Sequence, residues 1–329
     1  MLIIYTVFIT QAILEPSRHI DSNEVHPKQD STSDQQSGLN VVDFGADNTG
    51  RSDATPAILD TISAALTANN LGGPTASVFI PSGLYRLDTP LDLSKAQPSG
   101  NFPTHIDGFQ IVSAANATFY MGFSNGPAIN IEPPPGHEFR SSTFQLGNVY
   151  DDSFHENATG VQIRSTSNSS ISILGIRGFS KSCFSAAPTS NVGVFNNTVD
   201  IRMIRDCNIG FQVDGNSLPN LYGFQGNEVH LGQVSSNNAG IVNGSFPADS
   251  TQWNSYTIGA VEDNAGWGII DNSGQTEWHI INENSNSSGS MLLAPGAVGR
   301  PIIEGHIEGR IDLSGGAATR LVNANQPPN

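Results

Sequence analysis

Ile171-Ser172-Ile173-Leu174-Gly175-Ile176 and Val199-Asp200-Ile201-Arg202-Met203-Ile204 are one strand pattern written twice, 28 residues apart. Val229-His230-Leu231-Gly232-Gln233-Val234 follows 30 residues on, and Tyr256-Thr257-Ile258-Gly259-Ala260-Val261 another 27. Trp278-His279-Ile280-Ile281 comes after 22, and Gly305-His306-Ile307-Glu308 after a further 27. Each unit alternates apolar and polar residues, as a strand with one buried face requires, and later reaches Gly or Asn. Asn208, Asn238 and Asn264 fall six or seven residues after the aligned apolar residue, which predicts an Asn-lined turn stacked from coil to coil. A repeat of this length is the mark of a solenoid. One coil cannot bury its apolar face alone, so the array forms one continuous core and residues 40–329 read as a single domain.

Composition agrees. Thirty-four glycines among 329 residues and only 13% charged residues describe an all-β chain with many turns and exclude a helical bundle. The formal net charge of −16 disfavours nucleic acid and anionic membrane surfaces as partners. A polyanionic substrate needs a local Arg cluster or a bridging cation to be held.

At the N-terminus Leu2, Ile3, Ile4, Val7, Phe8 and Ile9, extended by Ala12, Ile13 and Leu14, form an apolar run too short to span a bilayer, and residues 1–15 read as a secretory signal. Residues 16–39 are polar and aperiodic, a disordered leader. Sequons at Asn116, Asn157, Asn168, Asn196, Asn243 and Asn286 point to a secreted glycoprotein. Cys183 and Cys207 are too few for a structural zinc site; their separation of 24 suits a bridge between adjacent coils, although the sequence leaves open whether it forms.

The folded part opens with Asn40-Val41-Val42-Asp43-Phe44-Gly45-Ala46-Asp47 and Thr49-Gly50-Arg51-Ser52-Asp53-Ala54-Thr55-Pro56-Ala57-Ile58. Ile58, Ile62, Ala65 and Leu66 then recur at helical spacing, and Ser77-Val78-Phe79-Ile80-Pro81-Ser82-Gly83-Leu84-Tyr85 is an apolar strand ended by Pro and Gly. These segments, over residues 40–86, resemble the N-terminal signature of the pectate-lyase-like superfamily, which includes polysaccharide lyases, glycoside hydrolases, epimerases and phage tailspikes. The resemblance implies a right-handed parallel β-helix, with the short helix capping the open end of the solenoid and the following segment starting its first coil. It speaks for the fold and not for an activity.

The repeat locates candidate chemistry. In its register Ser172, Asp200, His230, Thr257, His279 and His306 share one outward column, and Thr198, Glu228, Ser255, Glu277 and Glu304 share a second. Three coils thus carry Glu-x-His: Glu228–His230, Glu277–His279 and Glu304–His306. A carboxylate beside an imidazole fixes its tautomer and raises its pKa, as an acid/base catalyst requires, and the same set offers ligands for a divalent cation such as calcium. The competing reading is a solvated polar sheet face. Arg202 and Arg205 flank the column, with Arg300 and Arg310 near its end. In a lyase acting on uronic acids an Arg or a metal neutralises the carboxylate while a base, here His230 or His279, removes the adjacent proton.

A glycoside hydrolase needs two carboxyl groups instead, and Asp206, Glu228, Glu262, Asp263 and Glu277 are those of the middle coils. The Asn-Thr-Asp, Asp-Asp, Gly-His-Gly and Arg-Ile-Lys set of polygalacturonases is absent. Trp253 and Trp267 are candidates for stacking on a sugar, whereas Tyr256 and Trp278 occupy apolar register positions and read as packing. No phosphate loop or nucleophile elbow occurs. The expectation is a secreted carbohydrate-active enzyme, a polysaccharide lyase or related hydrolase. The alternatives are a non-catalytic glycan-binding β-helix, or a small-molecule isomerase or cyclase on the same scaffold.

Overall fold

The computed structural model describes residues 38–70, 77–100, 103–188, 193–214, 223–244, 251–273, 276–293, 302–312 and 320–322. The apolar alternation in each middle coil runs for eight or nine residues before a corner turns the chain: Thr143–Tyr150, Ser170–Arg177, Thr198–Arg205, Glu228–Ser235, Asn254–Glu262 and Thr276–Asn284. After that corner comes a strand such as Ile209–Val213, and before the next coil a two-residue strand such as Phe224–Gln225. Strands in the same position of successive coils pair in parallel, giving a long sheet of 14 strands, a second of 9 and a third of 6. Parallel strands of one sheet must be joined by crossovers, and here the other two sheets are the crossovers. The result is a right-handed parallel β-helix, the hand that such connections take.

Register bears out the repeat. Ile173, Ile201, Leu231, Ile258 and Ile280 pair in turn across five coils, and none is more than 2% exposed. A second interior row, Ile171, Val199, Val229, Tyr256 and Trp278, ends in stacked rings whose centroids lie 4.3 Å apart. Tyr256 and Trp278 are therefore core. Their polar atoms reach a buried network: Tyr256 donates to Asn243 Oδ1 at 2.8 Å, and Trp278 Nε1 to Asp271 at 3.0 Å.

Both corners of the long sheet are built alike. At its start Gly108, Ser141, Asn168, Asn196, Gly226 and Trp253 take left-handed φ values between 48° and 70°. The residue that follows each in the later coils, Asn197, Asn227 or Asn254, is buried and forms a ladder: Asn197 N–H donates to Asn227 Oδ1 at 3.0 Å and Asn227 N–H to Asn254 Oδ1 at 2.9 Å. At its end Gly178, Asp206, Ser236, Asp263 and Ser285 are left-handed, and Cys207, Asn237, Asn264 and Asn286 continue the chain. Here Cys207 N–H donates to Asn237, Asn237 N–H to Asn264 and Asn264 N–H to Asn286, at 3.0 to 3.1 Å. A bend takes a backbone N–H out of the sheet ladder, and the Asn amide of the next coil satisfies it.

One sequence expectation is corrected by this geometry. Asn208 and Asn238 do not share a stack with Asn264: they form a separate exposed pair, Asn238 Nδ2 to Asn208 Oδ1 at 2.8 Å. Only the six-residue spacing places the amide where it meets the bent N–H.

The N-terminal end is covered by an α-helix, Thr55–Asn70, in which Ile58, Ile62, Ala65 and Leu66 are fully buried. Asp53 accepts from Thr55 N–H at 3.0 Å, and Pro56 suits a first turn that has no donor to spare. Cys183, in the second sheet, and Cys207, at the corner one coil on, form a disulfide with Cα atoms 5.7 Å apart. Among the described residues no helix is long and apolar enough to cross a membrane. The segments expected to be signal and leader lie, up to residue 37, outside the described residues.

Two expected glycosylation sites are corrected. Asn243 is fully buried, donating to Asp271, Ser273 and Thr276 at 2.9 to 3.1 Å, so its amide has no room for a glycan. Asn286 is the last rung of the corner ladder, with Nδ2 donating to the Val261 carbonyl at 3.1 Å. Asn116, Asn157, Asn168 and Asn196 are exposed.

Candidate functional site

Since successive side chains of a strand point to opposite faces, the residue preceding each buried Ile or Leu of the first row faces solvent. Gln145, Ser172, Asp200, His230, Thr257 and His279 are consecutive partners in this outward column. Neighbours along it lie about 4.8 Å apart, so Asp200 is adjacent to His230, and His279 is two steps, roughly 10 Å, further on. Ser170, Thr198, Glu228, Ser255 and Glu277 form the second column. Within a strand the two columns meet: His230 Nε2 lies 3.2 Å from Glu228 Oε1, and His279 Nε2 lies 2.8 Å from Glu277 Oε1.

The third Glu-x-His does not continue these two columns. Glu277 pairs with Ile302, and His279 with Glu304, so the last coil is shifted by two residues from the sequence alignment. His306 lies beyond the strand Ile302–Gly305 and bonds Glu308 Oε1 at 2.8 Å instead of joining the column. A slip of two leaves every side chain on its original face, so alternation alone cannot detect it.

The outward face is hollowed beside Asp200. A depression of 220 Å³ is lined by Gln145, Ser172, Asp200 and Arg202, with Ser113, whose buried Oγ has no hydrogen-bond partner, in its wall. A second of 440 Å³ adjoins it, sharing Leu174 and Arg202 and adding Asn148, Met203 and Gln233. Asp200 is the one carboxylate of the two linings, and Arg202 the one cation.

Arg202 differs from most of the described arginines. Arg86, Arg140, Arg164, Arg177, Arg205 and Arg310 each face a carboxylate within 4 Å. Among the described residues Arg202 has no such partner, a state it shares with Arg51 in the N-terminal turn. On a chain of net charge −16, an exposed guanidinium with no carboxylate within 4 Å among the described residues, at the junction of two depressions, is open to an anionic ligand. Arg205 pairs with Asp206 at the corner, and Arg300 lies outside the described residues.

The two candidate tryptophans lie on different faces. Trp253 is at the corner where the long sheet begins, 69% exposed, next to the column of Glu228 and Glu277. Trp267 begins a strand of the second sheet, away from the His face, with the Arg310 guanidinium 5.9 Å from its ring. Among the described residues no three His, Cys, Asp or Glu side chains converge as a metal cage would require, and the two Glu–His pairs supply only two ligands each.

Gln145, Asn148 and Gln233 were missed by sequence reasoning. Extending the repeat one coil before Ser172 finds Gln145, whereas Asn148 and Gln233 stand out only through the depression they line. Glu283 was missed as well. It continues the interior row Ile176, Ile204, Val234 and Val261, fully enclosed, with Oε2 unpaired. Burial pushes its carboxyl up to about 7, against the opposing hydrogen bonds of Ser290 and Asn286. It is remote from the groove and belongs to the end of the core.

A family model described as rhamnogalacturonase A/epimerase, pectate lyase-like, matches residues 38–270. No curated protein sequence matches. Among solved structures, ORF18 of Geobacillus virus E2 is similar with a TM-score of 0.53 and 14% identity, over 88% of this chain. The chain spans 60% of that protein's length. The A-modules of two mannuronan C-5 epimerases of Azotobacter vinelandii, AlgE4 and AlgE6, share 16% identity at TM-scores of 0.41 and 0.34, over 86% and 88% of this chain and 80% and 100% of theirs. The match to the family model takes in well over half of the sequence, and the chain belongs to the rhamnogalacturonase A/epimerase family of pectate lyase-like proteins.

Proposed function

We propose that this protein is a secreted polysaccharide lyase acting on a uronic-acid-containing glycan. The observation that carries the reading is Arg202, the unpaired guanidinium between the two depressions, two residues from Asp200, whose partner in the next coil is His230. A uronate carboxylate held by Arg202 acidifies the hydrogen on carbon 5, because the guanidinium stabilises the negative charge that develops as the proton leaves. His230, oriented by Glu228, takes that proton. The electron pair of the broken C–H bond becomes the C4–C5 double bond, the bond from C4 to the glycosidic oxygen breaks, and the departing oxygen is protonated by water.

The family description, which names a rhamnogalacturonase, supports a carbohydrate substrate. Hydrolysis fits the groove less well. It needs two carboxyl groups about 5–9.5 Å apart across the bond, and Asp200 has no second carboxylate in either depression. Trp253 supports a glycan at the edge of this face. A bulky residue in left-handed conformation, at a corner otherwise built from Gly, Ser and Asn, serves no packing purpose while its ring stays in water.

The experiment is to incubate the purified protein with a panel of polyuronates and neutral glycans, reading unsaturated product by ultraviolet absorbance and new reducing ends separately. Unsaturated ends are expected from a polyuronate, with Arg202→Ala lowering turnover by about a hundredfold or more and His230→Ala by a similar factor. Reducing ends without unsaturation, or full activity in Arg202→Ala, would overturn the reading.

A further inference from the structure

At the other corner of the long sheet a cavity of 190 Å³ opens, lined by Asp151, Asp152, Phe154, Arg177, Gly178 and Asp206. It shares no residue with the depressions around Arg202. The turn on one side is tied down by Asp151, which is buried and accepts from the N–H groups of Ser153 at 3.0 Å and His155 at 2.7 Å while its other contact, 2.8 Å, is to His155 Nδ1. The product of that bracing is Phe154, left-handed at φ 51° and 57% exposed. A phenyl ring held in water by a braced turn contributes nothing to the core.

The facing wall is polar and fixed. Arg177 lies over the Tyr150 ring at 4.2 Å, and its Nη2 is 3.1 Å from Asp152, while its Nε is buried without a hydrogen-bond partner. Asp206 is held 3.5 Å from Arg205 Nε. Carboxylates alone would make this an acidic patch; the ring and the guanidinium beside them give it one apolar face and a polar rim of both donors and acceptors.

We propose that this corner is a binding site for a neutral sugar residue, distinct from the Arg202 groove and independent of its chemistry. A pyranose has an apolar C–H face to lay on Phe154, hydroxyls to donate to Asp152 and Asp206, and oxygens to accept from Arg177. A uronate is a poor occupant, because three carboxylates and a single guanidinium line the cavity.

Calorimetric titration of the full chain with neutral hexaoses of glucose, galactose, mannose and xylose tests the site, using Phe154→Ala, Asp206→Asn and Arg202→Ala for comparison. Phe154 is exposed, and Asp206 is half-buried at a left-handed position that Asn tolerates, so both corner variants keep the wild-type melting curve. At least one hexaose is expected to saturate, with Phe154→Ala weakening it about tenfold, Asp206→Asn weakening it several-fold, and Arg202→Ala leaving it unchanged. No saturable heat with any of these hexaoses, or binding that survives both corner substitutions, overturns the proposal. Loss of binding in Arg202→Ala alone assigns the sugar to the groove and overturns it equally. Polyuronate turnover in the same variants reports separately on the lyase reading.

Discussion

Replacing Glu283 by Gln should stabilise this protein at alkaline pH and leave it unchanged in acid. Glu283 occupies a position that Val234 and Val261 fill in the preceding coils, and burial raises its carboxyl from the ordinary 4.5 to about 7. Glu308 nearby adds to the rise and His306 opposes it. At pH 4 the group is protonated whether the chain is folded or not, and it has no effect on stability. Between 4.5 and 7 the unfolded chain releases the proton and the folded chain keeps it, so stability falls as pH rises through this window. Above 7 the full penalty is reached. The displacement corresponds to about 2–3 kcal/mol. Gln has the shape of the protonated acid and no charge to expel. Reversible guanidinium unfolding at pH 4 and pH 8 measures the difference: Glu283→Gln should match the wild type at the lower pH and exceed it by about 2–3 kcal/mol at the higher. A gain of equal size at both pH values, or a loss at pH 8, would refute the reasoning, because neither follows from ionisation of a buried acid.

Asn227→Ala removes the acceptor for both the N–H and the side-chain amide of buried Asn197, leaving the N–H without a partner, and takes away one donor to the Val194 carbonyl. A loss of about 2–4 kcal/mol is expected by chemical denaturation, against less than about 0.5 kcal/mol for exposed Asn238→Ala. Expressed through a eukaryotic secretory pathway, the chain should carry glycans at no more than Asn116, Asn157, Asn168 and Asn196; enzymatic deglycosylation followed by peptide mapping should find Asn243 and Asn286 unmodified.

What the sequence could disclose followed from the coil repeat. Ile201, Leu231, Ile258 and Ile280 were legible as one row because a buried column tolerates only apolar side chains, and the columns of Asp200, His230 and His279 came with it. His306 was misplaced because a two-residue slip preserves alternation, and its Glu-x-His spelling matched the earlier coils. The special status of Arg202 was invisible. Arg177 is neutralised by Asp152 from the preceding coil and Arg205 by the residue beside it, so which arginine remains free depends on corner geometry and not on spacing. Glu283 stands two residues beyond Ile281, the last aligned residue of its coil, where an acid is read as surface until the register shows Val261 beside it.

The corners have a consequence for how such a protein changes over time. Because each turn of the chain supplies one member to every column and, in most of the later coils, one Asn to each corner ladder, a duplication or loss of a whole turn lengthens or shortens the molecule without moving any residue from one face to another. An insertion of one residue inside the Glu228–Ser235 segment would instead exchange inside for outside along the remainder of that segment. Substitution at Asp200, Arg202 or Trp253 therefore alters what the outward face displays while the scaffold keeps its register.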